Sequence, residues 1–246
     1  MYQEDCLTGM RKIPDASVDL ILCDPPYGIT HCAWDKVLPI DRLFAEYNRV
    51  KKPNAAILLF AAQPFASDLA AGNRKAYRYE IVWVKNKPVN FLNAKKMPLR
   101  AHENILVFYD SLPTYHPQKR IVGTLKKGGS QQAARKNAQS SACYRDFRNP
   151  SYQYVDDGTR YPYDVVYFSC VTDTGPDRHP TQKPVPLLSY LIETYSNSGD
   201  LVLDSCMGSG STAVAAAKTG RRFVGFETDP HYFDVSLRRA EAALRP

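Results

Sequence analysis

Short apolar runs alternate with amphipathic stretches along most of the chain. Six runs have the length and apolar character of buried strands, namely 17–23, 55–60, 79–84, 103–109, 200–204 and 221–227. Four stretches between them have the apolar spacing of helices, namely 40–50, 64–72, 184–196 and 211–220. A last helix is expected from Asp229, a good N-cap residue that Pro230 follows. This alternation predicts an α/β fold with a doubly wound, mainly parallel sheet.

Three of the predicted strands end in a carboxylate. Asp24 follows the run 17–23, Asp204 closes the run 200–204, and Glu227 closes the run 221–227. In a parallel sheet the carboxyl ends of the strands share one edge, and ligands bind outside that edge. We therefore expect these three side chains to line a single site.

Composition excludes several classes of protein. The 246 residues are 44% hydrophobic, which suits one large globular domain or a domain with an insertion. No apolar stretch approaches the roughly 20 residues of a membrane span, and the first residues form neither a signal nor a transit peptide. The six cysteines contain no C-x-x-C pair, which favours reduced thiols over disulfides or zinc. We expect a cytoplasmic protein without a membrane anchor or a metal site.

The positive charge of the chain is concentrated in one segment. The net charge is +7, and residues 111–150 hold eight basic side chains against one acidic side chain, Asp146, so the rest of the chain is neutral. The segment is rich in Gly, Ser, Gln and Asn and has no period, which is compatible with a solvated loop or with an insertion that binds a polyanion. The candidate phosphate contacts are Lys119, Arg120, Lys126, Lys127, Arg135, Lys136, Arg145 and Arg148.

A glycine-containing turn follows the strand at 200–204. The sequence DSCMGSGST (204–212) places Gly208 and Gly210 between a strand and a helix, where the backbone can approach a ligand. No Lys follows the glycines, so the turn is not a P-loop. Glu227 ends the next strand, where a carboxylate can bind ribose hydroxyls. The pattern favours an adenosine-containing ligand and leaves a dinucleotide open, while the proline corner after Asp24 favours S-adenosylmethionine.

Three motifs together resemble the DNA amino-methyltransferases. They are DPPY (24–27), HPTQKPVPLL (179–188) and the long C-terminal stretch from LVLDSCMGSGSTAVAA to RRFVGFETDPHYF. Their order is that of the β group, in which the catalytic motif precedes the cofactor motif, so the resemblance implies a circularly permuted, Rossmann-like methyltransferase sheet. It implies a catalytic half (1–110), a target-recognition insertion (111–160) and a cofactor-binding half (161–246).

The resemblance also implies roles for individual residues. Asp24, Pro25, Pro26 and Tyr27 would form the catalytic loop. The residues that would bind S-adenosylmethionine are Asp5, Cys6, Asp24, Thr181, Gln182, Lys183, Asp204, Met207, Gly208, Ser209, Gly210 and Glu227. The family usually has Asp-Pro-Phe where this chain has Asp204-Ser205-Cys206, so the aromatic side chain that packs on the cofactor is missing, and Met207 could fill its place.

The DPPY corner suits methylation of an exocyclic amino group. The lone pair of the adenine N6 amino group is delocalised into the ring, and two hydrogen-bond acceptors would free it. The Asp24 carboxylate and the Pro25 carbonyl can accept both N–H protons, and the prolines fix these acceptors in advance. Because the target lies inside duplex DNA, the base must flip out, and Tyr27 offers a surface on which it can stack.

Several alternatives remain at this point. N4-cytosine methylation uses the same geometry, although such enzymes often carry Ser in place of Asp24. An RNA or protein amino-methyltransferase and a non-catalytic DNA-binding relative are the other possibilities. The expected partner is double-stranded DNA, and the resemblance makes a homodimer and a partner restriction endonuclease plausible.

Overall fold

A computed structural model describes residues 1–30, 32, 35–122, 157–172, 175 and 179–245. The chain divides into two compact units. The larger unit comprises Met1–His116 and Tyr163–Pro246, and the smaller unit comprises Pro117–Pro162.

All six predicted strands and all five predicted helices are present in the predicted order, and the described residues contain four more short strands and one more short α-helix. The strands are β1 (Tyr2–Gln3), β2 (Val18–Cys23), β3 (Lys51–Ala61), β4 (Tyr77–Val89), β5 (Arg100–Phe108), β6 (Arg120–Ile121), β7 (Thr159–Arg160), β8 (Val165–Tyr167), β9 (Leu201–Asp204) and β10 (Arg222–Glu227). The α-helices among the described residues are α1 (Cys6–Gly9), α2 (Ile40–Val50), α3 (Phe65–Gly72), α4 (Val185–Tyr195), α5 (Ser211–Lys218) and α6 (Pro230–Leu244).

Eight strands form one sheet in the order β1-β10-β9-β2-β3-β5-β4-β8. Neighbouring strands run parallel, except that β5 is antiparallel to both β3 and β4. This arrangement confirms the predicted α/β class with a mainly parallel sheet. In the smaller unit, β6 and β7 form a separate antiparallel pair.

Both faces of the central strands are buried. Leu20 and Leu22 of β2 belong to the core beneath α4 and α5, whereas Ile21 and Cys23 belong to the core beneath α2 and α3. Successive side chains of a strand point to opposite faces, so a strand covered on both sides needs apolar residues at every position. This explains why the central strands could be recognised as continuous apolar runs.

The structure differs from the expected elements around residues 51–54. The apolar run predicts a strand that starts at residue 55, but β3 begins four residues earlier at Lys51, directly after α2. Lys51 is buried and its Nζ lies 2.7 Å from Asp110 Oδ2, while Lys52 pairs with Asp19 at 2.6 Å. Each lysine therefore has a carboxylate partner, which lets the strand start with polar residues. Across the described ranges, no helix is both long and apolar enough to cross a bilayer.

Candidate active site

A cavity of about 810 Å³ opens at the carboxyl ends of the parallel strands. Asp24, Asp204 and Glu227 all line it, because β2, β9 and β10 are consecutive parallel strands of the sheet. Every sequence-predicted catalytic or cofactor-binding residue lines the same cavity except Gly210. Its volume lies in the usual range for small-molecule sites.

Asp24 is held at the cavity wall by two donors. Tyr27 Oη donates to Asp24 Oδ1 at 2.7 Å, and the ammonium of Lys183 donates to Asp24 Oδ2. Lys183 Nζ also lies 3.4 Å from Glu103 Oε2, and Lys85 donates to Glu103 Oε1. The four charged groups thus form a row of alternating sign, Asp24–Lys183–Glu103–Lys85, in which charges of opposite sign are neighbours.

The pKa shifts in this row follow from burial and from the neighbouring charges. Burial raises the pKa of Asp24, and the Lys183 ammonium opposes that rise. Burial alone would lower the pKa of Lys183, but the carboxylates of Asp24 and Glu103 raise it. Burial would raise the pKa of Glu103, but Lys183 and Lys85 hold it below its usual value. Lys183 is therefore charged, and it favours the ionised form of Asp24.

Contacts hold the aromatic ring of Tyr27 in place as well as its hydroxyl group. The ring stacks on Phe65 with centroids 5.4 Å apart and planes at 26°. Lys183 Nζ lies 5.8 Å from the Tyr27 ring centroid, within the range of a cation–π contact. Phe65 begins α3, so the corner formed by residues 24–27 is braced against a helix on one side of the sheet.

Asp35 holds the backbone that follows the DPPY motif. Its carboxylate accepts hydrogen bonds from the amide N–H groups of Gly28, Ile29 and Thr30 at 2.8, 3.0 and 2.7 Å. Burial would raise the pKa of Asp35, but the hydrogen bonds from Thr30 and from these amides hold it below its usual value. An ionised Asp35 thus fixes one cavity wall next to Tyr27.

The two glycines of the 204–212 turn serve different purposes. Gly208 has φ +50°, and its N–H donates to Glu227 Oε2 at 2.9 Å. Glu227 Oε1 accepts from the amide of Asp229 at 2.8 Å, so this carboxylate ties the turn to the end of β10. Gly210 has φ +77°, and a Cβ there would stand 2.7 Å from the Cβ of Ser236 in α6. Packing against α6 therefore accounts for Gly210, which does not line the cavity.

The segment Asp204-Ser205-Cys206 is stabilised by hydrogen bonds at the end of β9. Asp204 accepts from Thr212 Oγ1 at 2.6 Å and from the Cys206 amide at 3.0 Å, and burial raises the pKa of Asp204 to about 6. The Ser205 hydroxyl lies 2.6 Å from Tyr47 Oη and 3.1 Å from Cys23 Sγ. Ser205 therefore links the end of β9 to the end of β2.

The segment 179–183 joins the glycine turn to Asp24. Ser209 Oγ donates to Gln182 Oε1 at 2.9 Å, and Lys183 is the next residue. The ring of His179 packs edge-on against Tyr232 with centroids 4.4 Å apart. Burial and the nearby Lys183 lower the pKa of His179 to about 4, so this histidine is neutral at physiological pH.

Three contributors to the site were not identified from the sequence: Lys85, Glu103 and Asp35. Each lies in a stretch with no motif, and only the sheet brings the first two to Lys183. Within the described ranges, no group of three or more His, Cys, Asp or Glu side chains is arranged to hold a metal ion.

The basic residues of the 111–150 segment are only partly described. Lys126, Lys127, Arg135, Lys136, Arg145 and Arg148 lie outside the described residues. Lys119 and Arg120 belong to the smaller unit. Lys119 Nζ is 3.4 Å from Asp157 Oδ2 and 5.1 Å from the Tyr161 ring centroid.

A family model described as DNA methylase (N6_N4_Mtase) matches residues 18–238. The DNA adenine methyltransferase YhdJ of Escherichia coli (strain K12) is 33% identical over 97% of this chain and 81% of that protein.

Two solved structures have the same fold at low sequence identity. The M1.HpyAVI–SAM complex aligns with a TM-score of 0.65 and 22% identity, over 97% of each chain. The PvuII DNA methyltransferase (cytosine-N4-specific) aligns with a TM-score of 0.68 and 16% identity, over 97% of this chain and 85% of that one. At these identities the two likenesses show the shared fold alone.

Proposed function

The chain belongs to the DNA methylase family, and on that premise we propose that it transfers a methyl group from S-adenosylmethionine to the N6 amino group of an adenine flipped out of duplex DNA. The observation that carries the proposal is the Asp24 carboxylate, which faces the same cavity as Gly208 and Glu227. An acceptor for the target amino group and a turn suited to a nucleoside thus share one space. The similarity to a protein named as a DNA adenine methyltransferase supports the same activity.

Asp24 activates the amino group by accepting one of its protons in a hydrogen bond. An ionised carboxylate offers about four lone-pair positions, and Tyr27 and Lys183 occupy two of them. The others remain for the amino group, and the Pro25 carbonyl serves as the second acceptor. Since these acceptors are fixed before the substrate arrives, little reorganisation is needed as the nitrogen becomes tetrahedral.

Lys183 acts on the reaction through Asp24. Its ammonium keeps the carboxylate ionised in a partly buried position and restricts its orientation. Glu103 lies on the other side of Lys183, and Lys85 is paired with Glu103. The compensating Glu103 allows Lys183 to stabilise Asp24 without adding net positive charge beside a nitrogen that becomes positively charged.

The charge of the cavity suits a cationic ligand. Among the described residues, eight carboxylates and five lysine or arginine side chains line it, so acidic groups are in excess. S-adenosylmethionine supplies an electrophilic methyl group on a positively charged sulfonium. The acidic lining favours this charged form, and we propose that Glu227 and Asp5 bind the ribose and adenine, with Thr181 and Gln182 near the methionine end.

The cavity wall at Gly208 suits the close approach of a nucleoside. Gly208 has no side chain, so this part of the turn is open to a ligand, and glycine adopts its left-handed backbone without strain. The Gly208 amide is already paired with Glu227. Cys206 and Met207 line this wall, where the family resemblance implies an aromatic side chain at position 206. We propose that these two sulfur-containing side chains pack on the cofactor in place of that aromatic ring.

Tyr27 is suited to hold the extruded base. Its ring is braced by Phe65 on one side, so stacking of a base would cost little side-chain entropy. Base–aromatic stacking contributes about 1–3 kcal/mol, and a stacked adenine would keep its amino group next to Asp24. The aspartate at position 24, rather than serine, favours adenine over cytosine.

Residues 111–160 are proposed as the target-recognition region. The basic excess of this segment is complementary to the phosphates of DNA, and the compact unit Pro117–Pro162 nearly coincides with it. Homodimerisation and a partner restriction endonuclease are further proposals that rest on the family resemblance, and sedimentation of the purified chain tests the first of them.

Transfer of tritium from labelled S-adenosylmethionine, followed by nucleoside analysis, tests the function. We expect labelled N6-methyladenine in duplex DNA. Labelled N4-methylcytosine would support the cytosine alternative, and label only in RNA or protein would refute DNA as the substrate. Methylome sequencing of DNA from cells that express the chain then identifies the recognition site.

A further inference from the structure

The strands β4 and β5 form a hairpin whose turn exposes apolar side chains. We call residues 90–99, between the two strands, the hairpin tip. Leu92 is 99% exposed, Phe91 65% and Met97 52%, and Val89 at the end of β4 is 43% exposed. Isolated exposed apolar residues are common, but several within nine positions form a patch that a partner is expected to cover.

The hairpin tip is an ordered turn. Asn90 adopts a left-handed backbone (φ 79°), and a short 3₁₀ helix spans Phe91–Asn93. The Asn93 side chain donates to Asn90 Oδ1 at 2.7 Å, and the amides of Lys96 and Met97 donate to the Asn93 carbonyl at 2.8 and 3.0 Å. This internal hydrogen bonding presents Phe91 and Leu92 outward on a preformed support, so little entropy is lost when they are buried against a partner.

The hairpin tip continues one wall of the active-site cavity. Trp83, Lys85, Lys87 and Val89 alternate along β4, and all four line the cavity. At about 3.3 Å per residue, Val89 lies about 13 Å along the strand from Lys85, whose carboxylate partner Glu103 contacts Lys183. The tip therefore stands at the mouth of the cavity into which the target base must enter.

The charge around the tip identifies the partner as a polyanion. Residues 86–101 contain four basic side chains, namely Lys87, Lys95, Lys96 and Arg100, and no acidic one. Lys95 and Lys96 are exposed within the tip itself. Exposed apolar side chains flanked by basic ones are typical of proteins that wedge a side chain between base pairs while lysines contact the phosphates.

We propose that the hairpin tip docks on duplex DNA beside the target base and inserts Leu92, supported by Phe91, into the base stack. The inserted side chain fills the space that the flipped adenine leaves and so favours the extruded state. Lys95 and Lys96 contact the flanking phosphates. This inference rests on the proposed function, because it assigns to the tip the unstacking step that methylation of a duplex requires.

The test compares Phe91→Ala/Leu92→Ala with wild type on two oligonucleotide duplexes that carry the site found by methylome sequencing. One duplex is fully paired, and the other has a mismatch opposite the target adenine, which lowers the cost of flipping. We expect kcat/KM for the paired duplex to fall about tenfold or more, and the loss on the mismatched duplex to be at least about threefold smaller. The matched control is Leu244→Ala, which removes another exposed leucine (71%), at the end of α6, that does not line the cavity and lies outside residues 111–160.

A second variant separates the wedge from the phosphate contacts. Lys95→Gln/Lys96→Gln should weaken both duplexes equally and reduce the slope of log K against log salt by about 2. Equal losses on both duplexes for the Phe91/Leu92 variant, or no loss, would overturn the wedge. The wedge would also be overturned if wild type sediments as a dimer and the Phe91/Leu92 variant as a monomer, while the ratio of kcat/KM between the two duplexes stays the same. The hairpin tip would then bind a second copy of the chain. If wild type itself transfers no methyl group to DNA, the proposed function fails and the inference fails with it.

Discussion

Replacing Lys183 with methionine should reveal how Asp24 is kept ionised. Lys183 is 8% exposed, its ammonium donates to Asp24 Oδ2, and it lies 3.4 Å from Glu103 Oε2. Methionine has a similar length and no charge. The variant would leave two carboxylates near each other, with Lys85 paired only to Glu103. Either both carboxylates then stay ionised, at a high cost in free energy, or one of them takes up a proton.

The cost can be worked out from the burial of the pair. Removing one partner of a buried ion pair costs about 3–5 kcal/mol if the other charge remains. The Asp24 side chain is 23% exposed, so water screens part of this free-energy cost. Protonation of Asp24 relieves a further part of it. If about 2–3 kcal/mol of this cost appears as protonation of Asp24, the ionised fraction falls roughly 30- to 140-fold on the acid side of the pH profile, at about 1.4 kcal/mol per factor of ten.

The sign of the pH dependence follows directly. Methyl transfer needs ionised Asp24, and loss of Lys183 raises the pKa of that carboxyl, so the acid limb of kcat should move to higher pH. The loss of activity should therefore be largest at low pH and should shrink as pH rises. Single-turnover tritium transfer from about pH 5 to pH 9, with calorimetric binding of S-adenosylmethionine in parallel, measures the shift.

The matched control is the other lysine that is buried among the described residues. Lys51 is 6% exposed and pairs with Asp110, and neither residue lines the cavity. Lys51→Met should lower the unfolding midpoint without moving the acid limb. If Lys183→Met reduces kcat by the same factor at every pH, its role is structural and the reasoning about Asp24 is refuted.

Four other predictions concern the cavity and the turn that carries Gly208 and Gly210. Asp24→Ala should keep S-adenosylmethionine binding and lose about 100-fold or more of turnover, because an acceptor poised for the transition state is removed. Asp35→Asn should cost about 1–3 kcal/mol in urea unfolding, because its amide group would face backbone N–H donors. Gly210→Ala should destabilise the fold by about 1–3 kcal/mol, since it combines φ +77° with a clash at Ser236. Because the pKa of Asp204 is about 6, binding of S-adenosylmethionine should weaken about three- to tenfold from pH 8 to pH 5, and binding of the uncharged-sulfur product less.

Each of these outcomes has a control. Surviving turnover in Asp24→Ala would contradict the mechanism, provided that cofactor binding is measured in the same preparation. Asp41→Asn, at an exposed carboxylate in the first turn of α2, should leave stability unchanged and serves as the reference for Asp35. Gly199→Ala has φ +83° with nothing within 4 Å, so it isolates backbone strain from the packing effect at Gly210. Equal pH dependence for substrate and product would exclude the sulfonium charge as the cause.

The site residues that end parallel strands could be predicted from the sequence, because the carboxyl ends of parallel strands meet at one edge of a sheet. Asp24, Asp204 and Glu227 end apolar runs, and parallel neighbours bring such ends together. Glu103 could not be found in this way, because β5 runs antiparallel to β3. The amino end of β5 therefore lies at the edge where the parallel strands have their carboxyl ends, and Asn104 pairs with Ala61.

Short strands and strands that begin with polar residues could not be predicted from the pattern of apolar positions either. β8 has three residues, so no periodicity is available to mark it. β3 starts with two lysines, whose partners Asp110 and Asp19 are distant in sequence, and only the fold reveals that these charges are compensated. The uneven composition of residues 111–150 pointed to a solvated loop or a polyanion-binding insertion, whereas residues 86–101, which contain no acidic side chain, lie in a hairpin that composition did not single out.

The order of motifs along this chain matters less to the chemistry than the order of strands in the sheet. Asp24 and Asp204 are 180 residues apart, yet they end neighbouring strands, because β2 pairs in parallel with β9. Ser205 reinforces this contact through the Tyr47 hydroxyl at 2.6 Å and Cys23 Sγ at 3.1 Å. A permuted chain that kept this strand order would keep the distance between the acceptor for the amino group and the wall that holds the methyl donor.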